Sequence, residues 1–286
     1  MNQFHYQIPL AVQVLKSIET TSKPVCMAVT TSAGKSAISV RILEDYFKTD
    51  PTRTVVFLGS NQTALAKQFF DTLSNNCPVP FSFSYSMLKD SQDSQLKIGL
   101  PLQLINNPRK ISLLILDEAQ LLWPQIENNL ESMMSKILQL CEPERILLLT
   151  GSPSYFTKRK DQYAIHYLSY EDIANGKNRV FSKVDLDLVV VDKESVEESL
   201  KIFWRSTKHK RNDLSQLAVV AKDIQQAEII RRVLEEKYRL KTVISTSHHD
   251  SDSANLDIFK AGAYDCCITV NRIFTGWSYN NLTSVL

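Results

Sequence analysis

The sequence predicts an α/β protein with two parallel sheets, each flanked by helices. Three observations carry that prediction. Short β-branched runs alternate with helix-patterned segments from about residue 25 onward, which is the rhythm of strand and crossover helix. The run ISLLILDEAQ, residues 111–120, is apolar on both faces up to its acidic end, as a strand covered on both sides should be. The alternation then restarts after the polar stretch ANGKNR, residues 174–179, so the second set of strands belongs to a second sheet.

In chain order, PVCMAVT (24–30) reads as the first strand. GKSAISVRILEDYFK (34–48) reads as a helix, with Ile38, Ile42, Leu43 and Tyr46 near one face. TVVFLGS is the next strand and QTALAKQFFDTL the next helix, before a Pro- and Ser-containing stretch around 77–94 breaks the rhythm. ISLLILDEAQ is the central strand, QIENNLESMMSKILQL (125–140) a single helix, and ERILLLTGSP a buried strand running into a turn. In the second set, VDLDLVVVD, QLAVVAK, KTVISTS and AYDCCITV are strands, with KESVEESLKIFWRSTK and IQQAEIIRRVLEEKY as helices between them. The boundary falls near residues 180–185, giving domains 1–183 and 184–286. The second set stops on the start of another core strand, so the second sheet reads as incomplete.

Composition excludes several classes. The 286 residues suffice for one large or two ordinary domains, and 43% are hydrophobic. A net charge of +2 is too mild to imply nucleic-acid binding by itself. No apolar run reaches the roughly 20 residues a membrane span needs, and MNQFHYQIPLAVQ has neither a basic leader nor a cleavable apolar core. The five cysteines, Cys26, Cys77, Cys141, Cys266 and Cys267, form no C-x-x-C pair and read as buried thiols of a cytoplasmic protein. Adjacent Cys266 and Cys267 should face opposite sides of a strand.

Two motifs carry chemistry. AVTTSAGKSAISV (28–40) passes from strand through turn to helix. There Gly34 allows a tight turn, Lys35 can reach β- and γ-phosphates, and Ser36 can ligate Mg²⁺, with backbone N–H groups facing an anion. The first glycine of the usual G-x-x-x-x-G-K-[ST] pattern is replaced by Val29. About eighty residues later, Asp117 and Glu118 stand where a buried strand emerges. Adjacent carboxylates are costly there unless something positive is near. Asp117 suits an Mg²⁺ ion, and Glu118 suits orienting and deprotonating an attacking water. Both motifs fall at carboxyl ends of parallel strands, where open α/β sheets bind ligands.

This combination resembles the superfamily-two helicases and translocases of the DEAD/DEAH-box and restriction-enzyme-motor type. Their phosphate loop commonly reads A-T-G-x-G-K-T, which TTSAGKS approaches with Ser32 in place of a glycine. The resemblance implies two RecA-like domains, ATP and Mg²⁺ as ligands, and a loop of Thr31, Ser32, Ala33, Gly34, Lys35 and Ser36. It makes Gln7, in FHYQ, a candidate adenine reader. VVFLGSNQTALAKQ sits where the first nucleic-acid-contacting motif lies, and FSYSMLKD where a later single-strand segment lies. LDEAQ matches D-E-x-[HQ], so Gln120 would link the γ-phosphate to an interdomain cleft. LLLTGSP places Thr150 and Ser152 in the motif that couples hydrolysis to domain movement. QLAVVAKDIQQAEIIRRVL resembles the opening of the second motor domain, and AYDCCITVNRIFTGWSYNNL its G-x-D motif, with Gly276 at the glycine. Ser278 replaces that motif's Asp and Val270 a frequent Thr, and the chain ends before the family's arginine-rich motif, leaving Arg272 in a different place.

The function implied is a nucleic-acid-dependent ATPase of helicase or translocase type, acting on DNA or RNA with a single strand favoured. A C-terminal continuation or partner would supply the arginines. The alternative is an ATP- and nucleic-acid-binding module without efficient hydrolysis. A small-molecule P-loop kinase explains neither DEAQ nor a second sheet. His248, His249, Asp250 and Asp252 read as a polar loop, since no second ligand cluster accompanies them. TKRKD (157–161) and RSTKHKR (205–211) read as solvated surface or phosphate contacts. Trp123 reads as core, Trp277 as a possible stacking platform, and Tyr155 with Phe156 as candidates for a nucleic-acid path.

Overall fold

The computed structural model describes residues 6–30, 33–60, 63–75, 79–85, 94–168, 173, 196–206, 216–246, 250, 254–270 and 284–285. The chain divides into two compact units, Met1–Ser182 and Lys183–Leu286.

In the first unit the described elements are α1 (Gln7–Thr20), β1 (Val25–Val29), α2 (Lys35–Thr49), β2 (Val55–Leu58), α3 (Thr63–Asn75), β3 (Phe83–Tyr85), β4 (Leu96–Gly99), α4 (Pro101–Asn106) and β5 (Leu113–Leu116). A 3₁₀ turn (Ala119–Leu121), α5 (Gln125–Asn128), α6 (Met133–Cys141), β6 (Arg145–Thr150), α7 (Ser154–Thr157) and β7 (Ala164–Leu168) follow. The strands form one sheet in the order β3-β4-β2-β5-β6-β1-β7, and its described pairs are all parallel.

Because successive strand residues point to opposite faces, each central strand feeds two cores. Val25, Met27 and Val29 of β1, with Val55, Phe57, Leu113 and Ile115, pack against α1, α2 and α3. Cys26, Ala28, Val56, Leu58, Leu114 and Leu116 pack instead with Leu104, Met134, Ile137 and Phe156. This is why these strands read as unbroken apolar runs. Each buried large aliphatic side chain contributes about 1.5–3 kcal/mol against the cost of ordering the chain. Helix α2 buries Ile38, Ile42, Leu43, Tyr46 and Phe47, the face its periodicity predicts. It stops at Asp50, whose backbone is extended and whose carboxylate accepts the Thr52 N–H at 2.9 Å.

The strand order positions the site. β6 lies between β1 and β5, with Thr150 opposite Ala28 and Leu148 opposite Leu116. The carboxyl ends of β1, β6 and β5 are therefore side by side, although their residues are far apart in sequence.

Several elements were not predicted. Helix α1 buries Leu10, Ala11, Val14 and Ile18, but Ile8 and Val12 are exposed, which blurs the helical period. β4 carries the buried Lys97, and edge strand β7 carries the exposed Tyr167, so neither reads as an apolar run. The single helix expected over residues 125–140 is two. The Asn129 side chain accepts the Glu131 N–H at 2.8 Å, and the Ser132 hydroxyl caps α6 by accepting the Ser135 N–H at 3.2 Å. Local side-chain bonds of this kind compete with helix continuation and favour a new start.

The second unit contains α8 (Val196–Ser206), β8 (Leu217–Val220), α9 (Ile224–Tyr238), β9 (Thr242–Ser245), α10 (Ala254–Lys260), β10 (Cys266–Thr269) and β11 (Ser284–Val285). Its parallel sheet runs β11-β8-β10-β9. Cys266 and Ile268 pack with Leu200, Ala227 and Leu234, whereas Cys267 packs with Leu256 and Phe259, so the adjacent cysteines do face opposite sides. Asp223 caps α9 by accepting the Gln226 N–H at 2.7 Å. Cys26, Cys141, Cys266 and Cys267 are buried free thiols, while Cys77 and the expected strand 184–192 lie outside the described residues. No helix among the described residues is long and apolar enough to cross a membrane.

Candidate active site

The turn after β1 ends at Gly34, whose φ of 89° is open to glycine at little cost and strained for other residues. Space forbids a side chain as well: a Cβ there would lie 2.3 Å from Gln7 Nε2. Gly34 is the N-cap of α2, and Lys35, Ser36 and Ala37 open the helix, where backbone N–H groups have no intrahelical acceptor. With no capping side chain, that end of the helix suits an anion. The loop is braced from α1. The Tyr6 hydroxyl and the Gln7 side-chain amide each donate to the Ala33 carbonyl at 3.3 Å. Thr31 and Ser32 lie outside the described residues, as does Gly276.

Lys35 reaches from the head of α2 to the end of β5. Its Nζ donates to Glu118 Oε1 at 2.5 Å, and the two side chains are only 15% and 5% exposed. The Gln120 amide donates to Glu118 Oε2 at 2.8 Å. Thr150, at the end of β6, donates its hydroxyl to Gln120 Oε1 at 2.7 Å, and the Ser152 N–H donates to Thr150 Oγ1 at 2.9 Å. The amide orientation of Gln120 follows from this pattern, since its NH₂ faces a carboxylate and its oxygen faces a hydroxyl. Lys35, Glu118, Gln120, Thr150 and Ser152 thus form one hydrogen-bonded chain across three neighbouring strand ends.

Asp117 stands beside this chain. Its Oδ1 accepts the Glu118 N–H at 3.0 Å. Burial pushes its carboxyl up to about 6; the Lys35 charge opposes that shift and Glu118 adds to it. A carboxyl so raised is one that a cation would stabilise in its charged form. The uncapped head of α2 therefore suits an anion, and the raised Asp117 carboxyl beside it in the site suits a cation.

The lesser candidates divide. Trp123 is core: its indole N–H donates to the Tyr163 hydroxyl at 2.9 Å among buried apolar residues. Phe156 is fully buried, so it is no stacking platform, because the helix after the TGSP turn aims it at the sheet. In TKRKD, Arg159 is bound to Glu127 at 2.9 Å and lies over the Tyr155 ring at 4.2 Å, while Lys158 and Lys160 are exposed. Asp250 is buried and accepts from Ser245 Oγ at 2.6 Å and from the Asn255 N–H at 2.9 Å. Among the described residues no group of three or more metal-ligating side chains forms; His248, His249, Asp252 and Trp277 lie outside them. Sequence reasoning missed Tyr6 as a brace of the loop and Ser60 as a neighbour of the acid pair. The signal for Tyr6, a hydroxyl next to Gln7, was there to be read.

A phosphate-loop turn, an acidic strand end and two parallel sheets define a P-loop NTPase built of RecA-like domains, of superfamily-two helicase type. The chain belongs to the family described as "Type III restriction enzyme, res subunit", whose model matches residues 1–155. No curated protein matches the chain by sequence. Similar solved structures include Saccharomyces cerevisiae Dbp5 bound to RNA and ADP BeF3, 12% identical, with a TM-score of 0.66 over 99% of this chain and 78% of that one. The Sulfolobus solfataricus SWI2/SNF2 ATPase core in complex with dsDNA is 13% identical, with a TM-score of 0.52 over 94% and 78%. At these identities the likeness is one of fold.

Proposed function

We propose that this chain is a nucleic-acid-dependent ATPase of helicase or translocase type, whose turnover drives movement along, or unwinding of, DNA or RNA. The observation that carries the reading is the unbroken chain from Lys35 through Glu118 and Gln120 to Thr150 and Ser152. It joins a phosphate-loop lysine to an acidic base and then to the next strand end, as a site that senses the γ-phosphate would need.

In this reading the amides of Ala33, Gly34, Lys35 and Ser36, with Thr31 and Ser32 before them, cradle the phosphates. Lys35 leaves Glu118 for the β- and γ-phosphate oxygens. Ser36 and Asp117 would hold Mg²⁺, which when bound neutralises charge on those oxygens. Glu118, freed of Lys35, holds a water and takes its proton. Gln120 and Thr150 pass the change in Glu118 toward the TGSP turn. Gln7 would read the adenine, and Gly276 would be a further nucleotide-binding residue. The complexes of the fold neighbours with RNA and with DNA support a nucleic-acid partner, and the exposed Lys158 and Lys160 beside the TGSP turn offer phosphate contacts.

The deciding experiment measures ATP turnover with and without single strands. Turnover should rise with added strand, and strand binding should weaken at least about tenfold between roughly 50 and 200 mM salt, as phosphate contacts require. Binding undetectable at low salt with an ATP analogue present would remove the nucleic-acid reading.

A pH dependence follows from Asp117. In the folded chain its carboxyl titrates at about 6, above its ordinary value of 3.8, so the fold holds the extra proton between those values. Stability contributed by that proton is present at low pH and lost as pH rises through about 6. Binding of Mg²⁺ must displace the same proton. The Mg²⁺-dependent part of ATP affinity should therefore be full above about pH 7 and fall about tenfold per pH unit below about 6. Calorimetry in buffers of different ionisation enthalpy should register proton release near pH 6, and a flat profile from pH 5 to 8 would contradict the assignment of Asp117.

A further inference from the structure

Ser60 lies in the turn two residues after β2, inside the segment that resembles the first nucleic-acid-contacting motif, yet its side chain is fully buried and faces the acid pair. Its hydroxyl is shared between two successive main-chain carbonyls, those of Asp117 and of Glu118, the latter at 3.2 Å. Ser60 has φ 48° and Glu118 φ 47°. Two non-glycine residues thus hold the left-handed region on neighbouring strand ends, joined by one hydroxyl. Such conformations persist only where the surroundings fix them, and they cluster at functional sites.

The surroundings of Ser60 do fix it. The Gly59 N–H donates to the Gly99 carbonyl at 3.1 Å, and the Asp117 N–H donates to the Leu58 carbonyl at 2.9 Å. A Cβ on Gly59 would come within 2.5 Å of the Ala66 backbone nitrogen, so α3 closes directly over this turn. The main chain of Ser60 is therefore held by its neighbours, and its hydroxyl passes that constraint to the peptide groups carrying both carboxylates.

We propose that Ser60 is a positioning residue for the acid pair. Its hydroxyl sets the two peptide planes from which the Asp117 and Glu118 side chains project, one toward the cation position and one toward Lys35 and Gln120. It touches neither nucleotide nor water. The inference rests on the ATPase reading above, and its test separates the two.

The variants are Ser60→Ala and Ser60→Gly. Both lose the hydroxyl, and the glycine also relieves the left-handed strain, so it should fold with a Tm no lower than that of the alanine variant. ATP affinity is measured by calorimetry in EDTA and in Mg²⁺, beside steady-state turnover and amide exchange at residues 117–119. In both variants affinity in EDTA should stay within about twofold of the parent. The Mg²⁺-dependent gain and the turnover should each fall roughly 10–100-fold, the usual range for partners that orient metal ligands. Exchange at 117–119 should quicken. A loss confined to the alanine variant, or one that tracks Tm, would mark a packing role and overturn the proposal. Variants matching a parent that binds ATP with a Mg²⁺-dependent gain would also overturn it while leaving the ATPase reading intact. A parent with no ATP binding, or none of that gain, would end both.

Discussion

Lys35→Ala should weaken Mg·ATP binding by roughly 10–100-fold, the scale of lost hydrogen bonds between a charged donor and phosphate oxygens. The structure adds a second expectation. Lys35 is the counter-ion of Glu118, whose side chain is 5% exposed. Its removal leaves a buried carboxylate whose remaining side-chain partner among the described residues is the Gln120 amide, and unpaired buried charges are costly. The Tm of the variant should therefore drop at neutral pH. Lys35→Met would show the same pattern. Calorimetry with Mg·ATP and thermal scans at neutral pH test both parts. Equal ATP affinity in variant and parent would remove Lys35 from the site.

Glu118→Gln should behave in the opposite way toward binding. The amide keeps the shape and one carbonyl acceptor for Gln120, but it can neither take a proton from water nor hold Lys35 as a carboxylate does. Turnover should fall roughly 10²–10⁴-fold, the range for loss of a general base. Affinity for Mg·ATP should be retained or increased, because Lys35 no longer leaves an ion pair to reach phosphate. Single-turnover hydrolysis and nucleotide binding on the same preparation separate these effects. A variant that turns over normally would show that another group prepares the water. One that loses binding as well would place Glu118 among the groups that hold the nucleotide.

The residues legible beforehand were those whose chemistry is written locally. A glycine before Lys35 and Ser36 at a strand–helix junction, and two acids at the end of an apolar run, announce an anion and a cation by residue type and spacing alone. The central strands were legible because both their faces are buried, which removes any polar alternation from β1, β2, β5 and β6. Elements with mixed environments were not. β4 holds a buried lysine, β7 exposes Tyr167 at the sheet edge, and α1 exposes Ile8 and Val12, so none carries a clean period. The break between α5 and α6 depends on which way the Asn129 and Ser132 side chains turn, a choice the hydrophobic pattern does not record.

What the sequence determined by itself was the inventory: two α/β units, a phosphate-loop turn and an acidic strand end. What only the tertiary structure decided was their arrangement. β6, last of the three in sequence, inserts between β1 and β5, and this brings Thr150 within 2.7 Å of Gln120 while Lys35 meets Glu118 across the sheet end. Ser60 shows the same division more sharply. As a residue it is an ordinary serine after a glycine, and its contact with the acid pair arises from a left-handed turn at a neighbouring strand end. Local periodicity encodes burial one strand at a time, whereas strand order is set by how all the helices cover both faces together. Contacts between strand ends inherit that order, so they become visible only once the sheet is assembled.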